Sequence, residues 1–256
     1  LAGGHIRYKD NERFKQYWRE IPTAIDGQMP WKDGGVYLIT GGAGGIGLHM
    51  VREIAGAVKN ASLWLIGRST LSEQQQQEQH ALTANVYYRK VDATSEDDVR
   101  GLIQEIQNTD GKLDGVIHSA GLTRDGLLRT KTTQDLRDVL SPKVDGAINI
   151  DKAIGSAPLD FMLLMSSVSG ALGNAGQTDY ATANAFLDGF ATARNRLQQQ
   201  GQRHGRTLSV DWPYWRDGGI KLDQQYIQTM ERDYGVWPLE LSGALTALAT
   251  AFDAEN

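Results

Sequence analysis

The stretch VYLITGGAGGIGLHMVREIAGAV, residues 36–58, decides the fold. It opens on a short apolar run, VYLIT, and passes without a spacer into TGGAGGIG, Thr40 to Gly47, before the helical pattern IGLHMVREIAGAV. Side chains at these glycines would keep the backbone away from a pyrophosphate, and the helix behind them offers free N–H groups and the positive end of its dipole. Gly42, Gly44 and Gly47 satisfy G-x-G-x-x-G, while Gly41, Gly45 and Gly47 satisfy T-G-x-x-x-G-x-G. Neither pattern ends in Gly-Lys-Ser/Thr, which disfavours a nucleoside-triphosphate loop. Strand, glycine turn and helix in that order predict a dinucleotide cradle made by Thr40, Gly41, Gly42, Gly44, Gly45, Ile46 and Gly47.

Outward from this unit the same alternation recurs. SLWLIG (62–67) follows, VYYRKV (86–91) precedes EDDVRGLIQEI, and LDGVIH (113–118) precedes a helical segment from Thr132 to Ile154. DFMLLM (160–165) precedes TDYATANAFLDGFATARNRL, and LSVDW (208–212) precedes a loop and a last helix near 239–252. Six strands alternating with helices predict an α/β fold with a doubly wound parallel sheet of the Rossmann kind. Residues 1–32 differ: HIRYK reads as a short strand, NERFKQYWREI as a second amphipathic segment, and PTAIDGQMPWKDGG as a linker. That is too little sequence for a core of its own, so the domain proper is expected over 33–256. The glutamine-rich stretches Glu73–Gln79 and Gln198–Gln202 read as solvated helix ends or loops.

Composition narrows the function. The chain has 256 residues, 40% hydrophobic and 22% charged, with a net charge of −5 and no cysteine. Disulfides, thiolate metal sites and a Cys nucleophile are excluded, and the five His show no pair at metal-ligand spacing, so no metal is expected. Lys and Arg are scattered rather than clustered, unlike the footprint of a nucleic-acid binder. No apolar stretch approaches the ~20 residues of a membrane span. A start at Leu1 with a polar, charged lead reads as a piece of a longer, cytoplasmic polypeptide.

Several residues outside the cradle carry chemistry. Where an NAD site would place an acid after the second strand, this chain has Gly67-Arg68-Ser69. A guanidinium suits a 2′-phosphate, the alternative being a solvated loop charge. Asp92 and Ala93, after the third strand, stand where the adenine would lie, and Ser119-Ala120-Gly121 supply small residues where a cofactor must pass. His118 reads as a satisfied core histidine. Tyr180 begins a helix thirteen residues after Ser167, which ends the fifth strand, so a phenol and a hydroxyl can converge. An unperturbed phenol titrates near a pKa of about 10, and a cation nearby would lower that. Lys143 is the candidate cation, with Asn184 one helical turn beyond Tyr180.

Taken together, VYLITGGAGGIG, HSAG, LSPKVDGA, SSVSG and DYATANAFLDGFA resemble the short-chain dehydrogenase/reductases, and within them the ketoreductase domains of modular polyketide synthases. The likeness covers nearly the whole chain. The wider superfamily carries Tyr-x-x-x-Lys; here position 184 is Asn and the lysine is Lys143, an exchange that marks the polyketide synthase ketoreductases. WPYWRDGGI (212–220) looks like the WPxWxxGGM segment of trans-acyltransferase assembly lines, with Ile220 in place of Met.

The resemblance implies NADPH as cofactor and, as partners, an acyl carrier protein bearing a phosphopantetheine-linked β-ketoacyl chain and the neighbouring domains of a megasynthase. It implies hydride transfer to the ketone, Tyr180 as proton donor, Ser167 as hydrogen-bond partner of the same oxygen, and Lys143 lowering the Tyr180 pKa in a relay with Asn184. Residues 1–32 would be the C-terminal remnant of a structural subdomain. Leu122-Thr123-Arg124-Asp125 aligns with the Leu-Asp-Asp fingerprint of B-type domains, with only the last Asp, Asp125, kept. The Trp of A-type domains is Leu172 here. A B-type, D-hydroxy product follows, unless Asp125 is only a solvated turn acid. The rival reading, a non-catalytic scaffold domain, would be marked by loss of the Tyr, Ser or Lys, and all three are present.

Overall fold

Side chains alternate across the central strands and send two apolar layers in opposite directions. From β3 (Val36–Thr40), Val36 and Leu38 join one cluster, Tyr37 and Ile39 the other. The computed structural model describes residues 6–15, 17–23, 27–220 and 222–254. With β4 (Ser62–Gly67), β5 (Asn85–Lys90), β6 (Gly115–His118), β7 (Phe161–Ser167) and β8 (Arg206–Trp212), β3 forms a six-stranded parallel sheet in the order β5-β4-β3-β6-β7-β8. This is the doubly wound arrangement expected from the alternation of elements. Crossovers leave β3 in opposite senses toward β4 and β6, which opens a crevice at their C-terminal ends.

One face is covered by α3 (Glu96–Asp110), α4 (Thr133–Ile154) and α6 (Thr178–Gln199), through Val99, Leu102, Ile106, Ile150 and Leu187. The other is covered by α1 (Gly45–Ala57) and α8 (Leu241–Asp253), through Met50, Ile54, Ala244 and Leu248. The shorter helices α2 (Glu73–His80), α5 (Val168–Leu172) and α7 (Gln224–Tyr234) complete the chain. The glutamine-rich stretch at 73–79 is therefore a helix, started by a capping box between Ser72 and Gln75. The Gln75 amide reaches the Ala43 carbonyl in the glycine turn at 2.8 Å. Among the described residues no helix is long and apolar enough to cross a membrane.

The N-terminal stretch divides in two. Strands β1 (Ile6–Lys9) and β2 (Glu12–Lys15) pair as an antiparallel hairpin, so the segment after HIRYK begins as a second strand. Asp10 and Asn11 turn it with φ of 51° and 65°, the left-handed pair of a two-residue I′ turn. All four residues of β2 are exposed. Further on, Trp31 is 8% exposed and packs edge-on against Tyr37, Phe161 and Phe252 at centroid distances of 5.9, 5.3 and 6.2 Å. The packing of the main domain thus takes in residues before 33. Trp31→Ala is expected to destabilise the domain by about 3–5 kcal/mol, as core Trp truncations do. Urea unfolding measures this, and a loss within about 0.5 kcal/mol, typical of surface positions, would place Trp31 outside the core.

Candidate active site

The crevice is held in shape by one hydroxyl. Thr40 Oγ1, at the end of β3, accepts the N–H groups of Ser119 and Ala120 at 3.0 and 2.9 Å and lies 2.9 Å from His118 Nδ1. With both N–H groups pointing at it, the hydroxyl's own proton goes to Nδ1. Burial, then the charge of Lys143, pushes His118 down to about 3, so the ring is a neutral core histidine, but not the fully satisfied one expected, because its Nε2 has no partner among the described residues. Thr40 is 1% exposed, so it shapes the turn with its hydroxyl already engaged.

The glycine turn fits a dinucleotide. Gly41 has φ 67°, and a Cβ there would meet the Ser119 carbonyl at 3.2 Å. A Cβ on Gly47 would come within 2.5 Å of the Gly41 carbonyl, so only glycine lets α1 start this close to β3. Gly44, by contrast, faces open space. Beside the turn lies a cavity of about 170 Å³ lined by Thr40, Gly41, Arg68, Asp92, Ala93, Ala120 and Gly121, among others. Gly42, Gly44, Gly45, Ile46, Gly47, Ser69 and Ser119 are not among its lining residues; a Cβ on Gly42 would meet the Leu65 side chain and the Ile39 carbonyl, and one on Gly45 the Gly218 carbonyl. Asp92 commits one carboxylate oxygen to the N–H and hydroxyl of Thr94 at 3.0 and 2.9 Å, which leaves the other for a ligand. Arg68 is exposed at the cavity edge.

Ser167, Tyr180, Lys143 and Asn184 meet at the other end of the crevice. Burial pushes the Tyr180 phenol above its ordinary pKa; the nearby Ser167 and Asn184 side chains pull it down less strongly, and the charge of Asp125 adds to the rise. The lowering by Lys143 expected from the sequence is not what the geometry produces. Lys143 Nζ donates to the Met165 carbonyl at 2.7 Å and stands 5.9 Å from the centre of the Tyr180 ring. Asn184 is fully buried; its amide donates to the Tyr180 carbonyl at 2.7 Å, and its Oδ1 has no partner among the described residues. No direct hydrogen bond joins Lys143 to Asn184 among those described.

Two segments frame the entrance. Asp125 is exposed, and the Gln177 amide donates to both its oxygens at 3.1 and 3.0 Å. Gln177, three residues before Tyr180, carries no signal in the sequence beyond that position. Across the crevice, the glycines of WPYWRDGGI close on the cradle: a Cβ on Gly45 would meet the Gly218 carbonyl at 2.7 Å, and one on Gly219 the Gly45 Cα at 2.8 Å. His49 Nε2 lies 2.9 Å from the Asp217 carbonyl and fastens this segment to α1.

Lys143 has a measurable signature. Burial pushes it from 10.5 down to about 8, only partly offset by the Asp188 carboxylate. A folded-state pKa below the unfolded one means the unfolded chain holds the proton more tightly. The buried ammonium therefore destabilises the fold fully below about pH 8, and the penalty fades as pH rises toward 10.5. Wild type is expected to gain stability relative to Lys143→Met as pH is raised through this window. Paired urea titrations at the two ends decide it, and a constant difference would refute a buried, depressed lysine.

The comparisons agree with this geometry. The KR domain family model matches residues 35–217. Polyketide synthase PksN of Bacillus subtilis (strain 168) is 46% identical over 99% of this chain, and PksL of the same organism 43% over 95%. The chain spans only 5% and 6% of those two proteins. Among solved structures, a ketoreductase domain from the bacillaene assembly line superposes with a TM-score of 0.94 at 41% identity, covering 98% of this chain and 60% of that one. An N-terminal ketoreductase from the macrolactin assembly line gives 0.79 at 35%, covering 96% of this chain and 46% of that one. KR domains are nicotinamide-dependent oxidoreductases on a short-chain dehydrogenase/reductase fold, and a chain with this cradle, this Ser–Tyr–Lys–Asn cluster and these likenesses belongs to the KR family, the ketoreductase domains of polyketide synthases.

Proposed function

We propose that the domain reduces a β-ketoacyl thioester, presented on the phosphopantetheine arm of an acyl carrier protein, to the D-configured β-hydroxyacyl thioester with NADPH. The observation that carries this reading is the convergence of Ser167, Lys143 and Asn184 around Tyr180 at the end of a glycine-walled crevice. Thr40 to Gly47, Asp92, Ala93 and Ser119 to Gly121 would hold the cofactor, with Arg68 and Ser69 at its 2′-phosphate. When bound, NADPH supplies the hydride for the ketone carbon. Tyr180 is a phenol, protonated at neutral pH as phenols ordinarily are and pushed further that way by burial, so it is in the form that donates a proton to the developing alkoxide. Ser167 would bind the same oxygen and orient it. Lys143, over the ring face, and Asn184, against the Tyr180 backbone, would hold the phenol and return its proton from solvent.

Configuration depends on the side from which the pantetheine arm enters. Asp125, latched by Gln177 near the phenol, and the absence of Trp at Leu172 support the B-type reading. The partners would be the carrier protein and adjoining domains of a megasynthase, with residues 1–32 the edge of a preceding structural subdomain.

The deciding experiment is NADPH oxidation on a short unbranched β-ketoacyl thioester with chiral chromatography of the product. The D alcohol is expected, and a mainly L product would remove the role given to Asp125. Tyr180→Phe should lower turnover by about 10²- to 10⁴-fold while the domain stays folded. Retention of near-full rate would point to another acid. Arg68→Ala should weaken NADPH binding by about one to two decades, the worth of a charge-assisted bond to phosphate, and leave NADH binding nearly unchanged. Equal losses for both cofactors would show that Arg68 does not read the phosphate.

A further inference from the structure

The segment between β6 and α4 is mostly exposed from Arg124 to Thr130, yet it ends in a buried charge. The Lys131 side chain is 4% exposed and pairs at 2.5 Å with Asp179, which is 1% exposed. The same ammonium donates to the Arg124 carbonyl. The other carboxylate oxygen of Asp179 accepts the Tyr180 N–H at 2.9 Å. One cation thus gathers both ends of the loop 124–131 and ties them to the residue before the phenol.

Weaker contacts run along the same seam. The Gly126 N–H donates to the Gly176 carbonyl at 2.8 Å, and Gln177 holds Asp125. On the far side Arg124 pairs with Asp138 at 2.9 Å and stands 3.9 Å from Asp135, both on α4. A buried ion pair is a poor way to gain stability, because apolar residues of similar volume often do as well or better. What an apolar pair cannot do is bind the Arg124 carbonyl and the Tyr180 N–H together. The geometry therefore accounts for the charges better than stability does.

We infer that Lys131 is a positioning residue: through Asp179 and the Arg124 carbonyl it locks the loop 124–131 onto the first turn of α6, so that Asp125 and Tyr180 keep one relative placement during reduction. This rests on the reading of Asp125 as the residue that controls product configuration. Lys131 touches neither cofactor cradle nor phenol, so its loss should act on turnover and configuration and spare cofactor affinity.

The test compares wild type, Lys131→Arg, Lys131→Met and the double variant Lys131→Met/Asp179→Leu. It reads turnover and product configuration on a short β-ketoacyl thioester and NADPH affinity by fluorescence titration. Lys131→Met is expected to lose roughly 10- to 100-fold in turnover, the scale of a misplacement of about an ångström, and to erode the product ratio, with NADPH affinity within about twofold. Lys131→Arg should keep the wild-type ratio. The double variant strands no charge, and should bind NADPH normally yet keep the eroded ratio, because the Arg124 carbonyl has lost its donor. An unchanged ratio in Lys131→Met, or a double variant with wild-type turnover and ratio, overturns the inference. Loss of NADPH binding in both variants would overturn it too, by making the pair a folding element. If wild type gives mainly the L alcohol, the reading of Asp125 fails, while the lock is still judged by whether the ratio moves from the wild-type value.

Discussion

The contact on which the crevice depends is the one between Thr40 and the turn after β6. A single buried hydroxyl binds two successive N–H groups of the neighbouring strand's exit and the ring of His118. These strands part company at this point, and without a fastening their C-terminal loops would have no common reference. The glycine turn leaves from Thr40 itself; the segment 119–131 leaves from the groups that Thr40 holds. The glycine turn and the segment after β6 are thereby set from the same atom. The cost of burying so many polar groups is limited because the Thr40 hydroxyl and the two N–H groups it binds are satisfied, and because His118 stays neutral, although its Nε2 has no partner among the described residues.

The exchange of lysine and asparagine has a packing consequence that reaches back into this turn. A lysine one helical turn beyond the tyrosine would rise from α6 beside the phenol. Here the cation comes from α4 and must cross beneath the loop after β6. Gly121 makes room: a Cβ there would meet Lys143 Cε at 2.9 Å. Gly146, three residues along α4, does the same for the His118 ring, also at 2.9 Å. The two glycines, in HSAG and in KVDGA, are thus steric partners of Lys143 and His118, and neither can be changed without moving a buried polar side chain.

Much of this was legible in the sequence because it obeys periodicity. All six strands of the sheet follow from short apolar runs, and their parallel order follows from the helical patterns between them. Thr178 to Gln199 is helical where TDYATANAFLDGFATARNRL reads as helix. What escaped is what periodicity does not encode. Helix α2 carries almost no apolar residue to mark it, and begins at a capping box. Strand β2 alternates charge with one Phe and faces outward, so no burial pattern marks it. The raised pKa of Tyr180 could not be read because burial and the distance to a cation are properties of the fold; proximity of Lys143 was inferable, and the bond that occupies its Nζ was not. Gln177 and Lys131 look like solvated polar residues in a string, and their partners lie 52 and 48 positions away.

The two kinds of element bear different loads. The cradle tolerates almost nothing, since Gly41, Gly45 and Gly47 are enclosed by backbone on the side a Cβ would occupy. The entrance is built instead from side-chain contacts: Gln177 to Asp125, Arg124 to Asp138, Lys131 to Asp179. A side-chain contact can be replaced by one substitution without disturbing the sheet, whereas a backbone contact cannot. Sequence variation can therefore accumulate around the loop 124–131 and the residues before Tyr180 without disturbing the sheet. The reaction itself stays bound to a geometry that the strands impose.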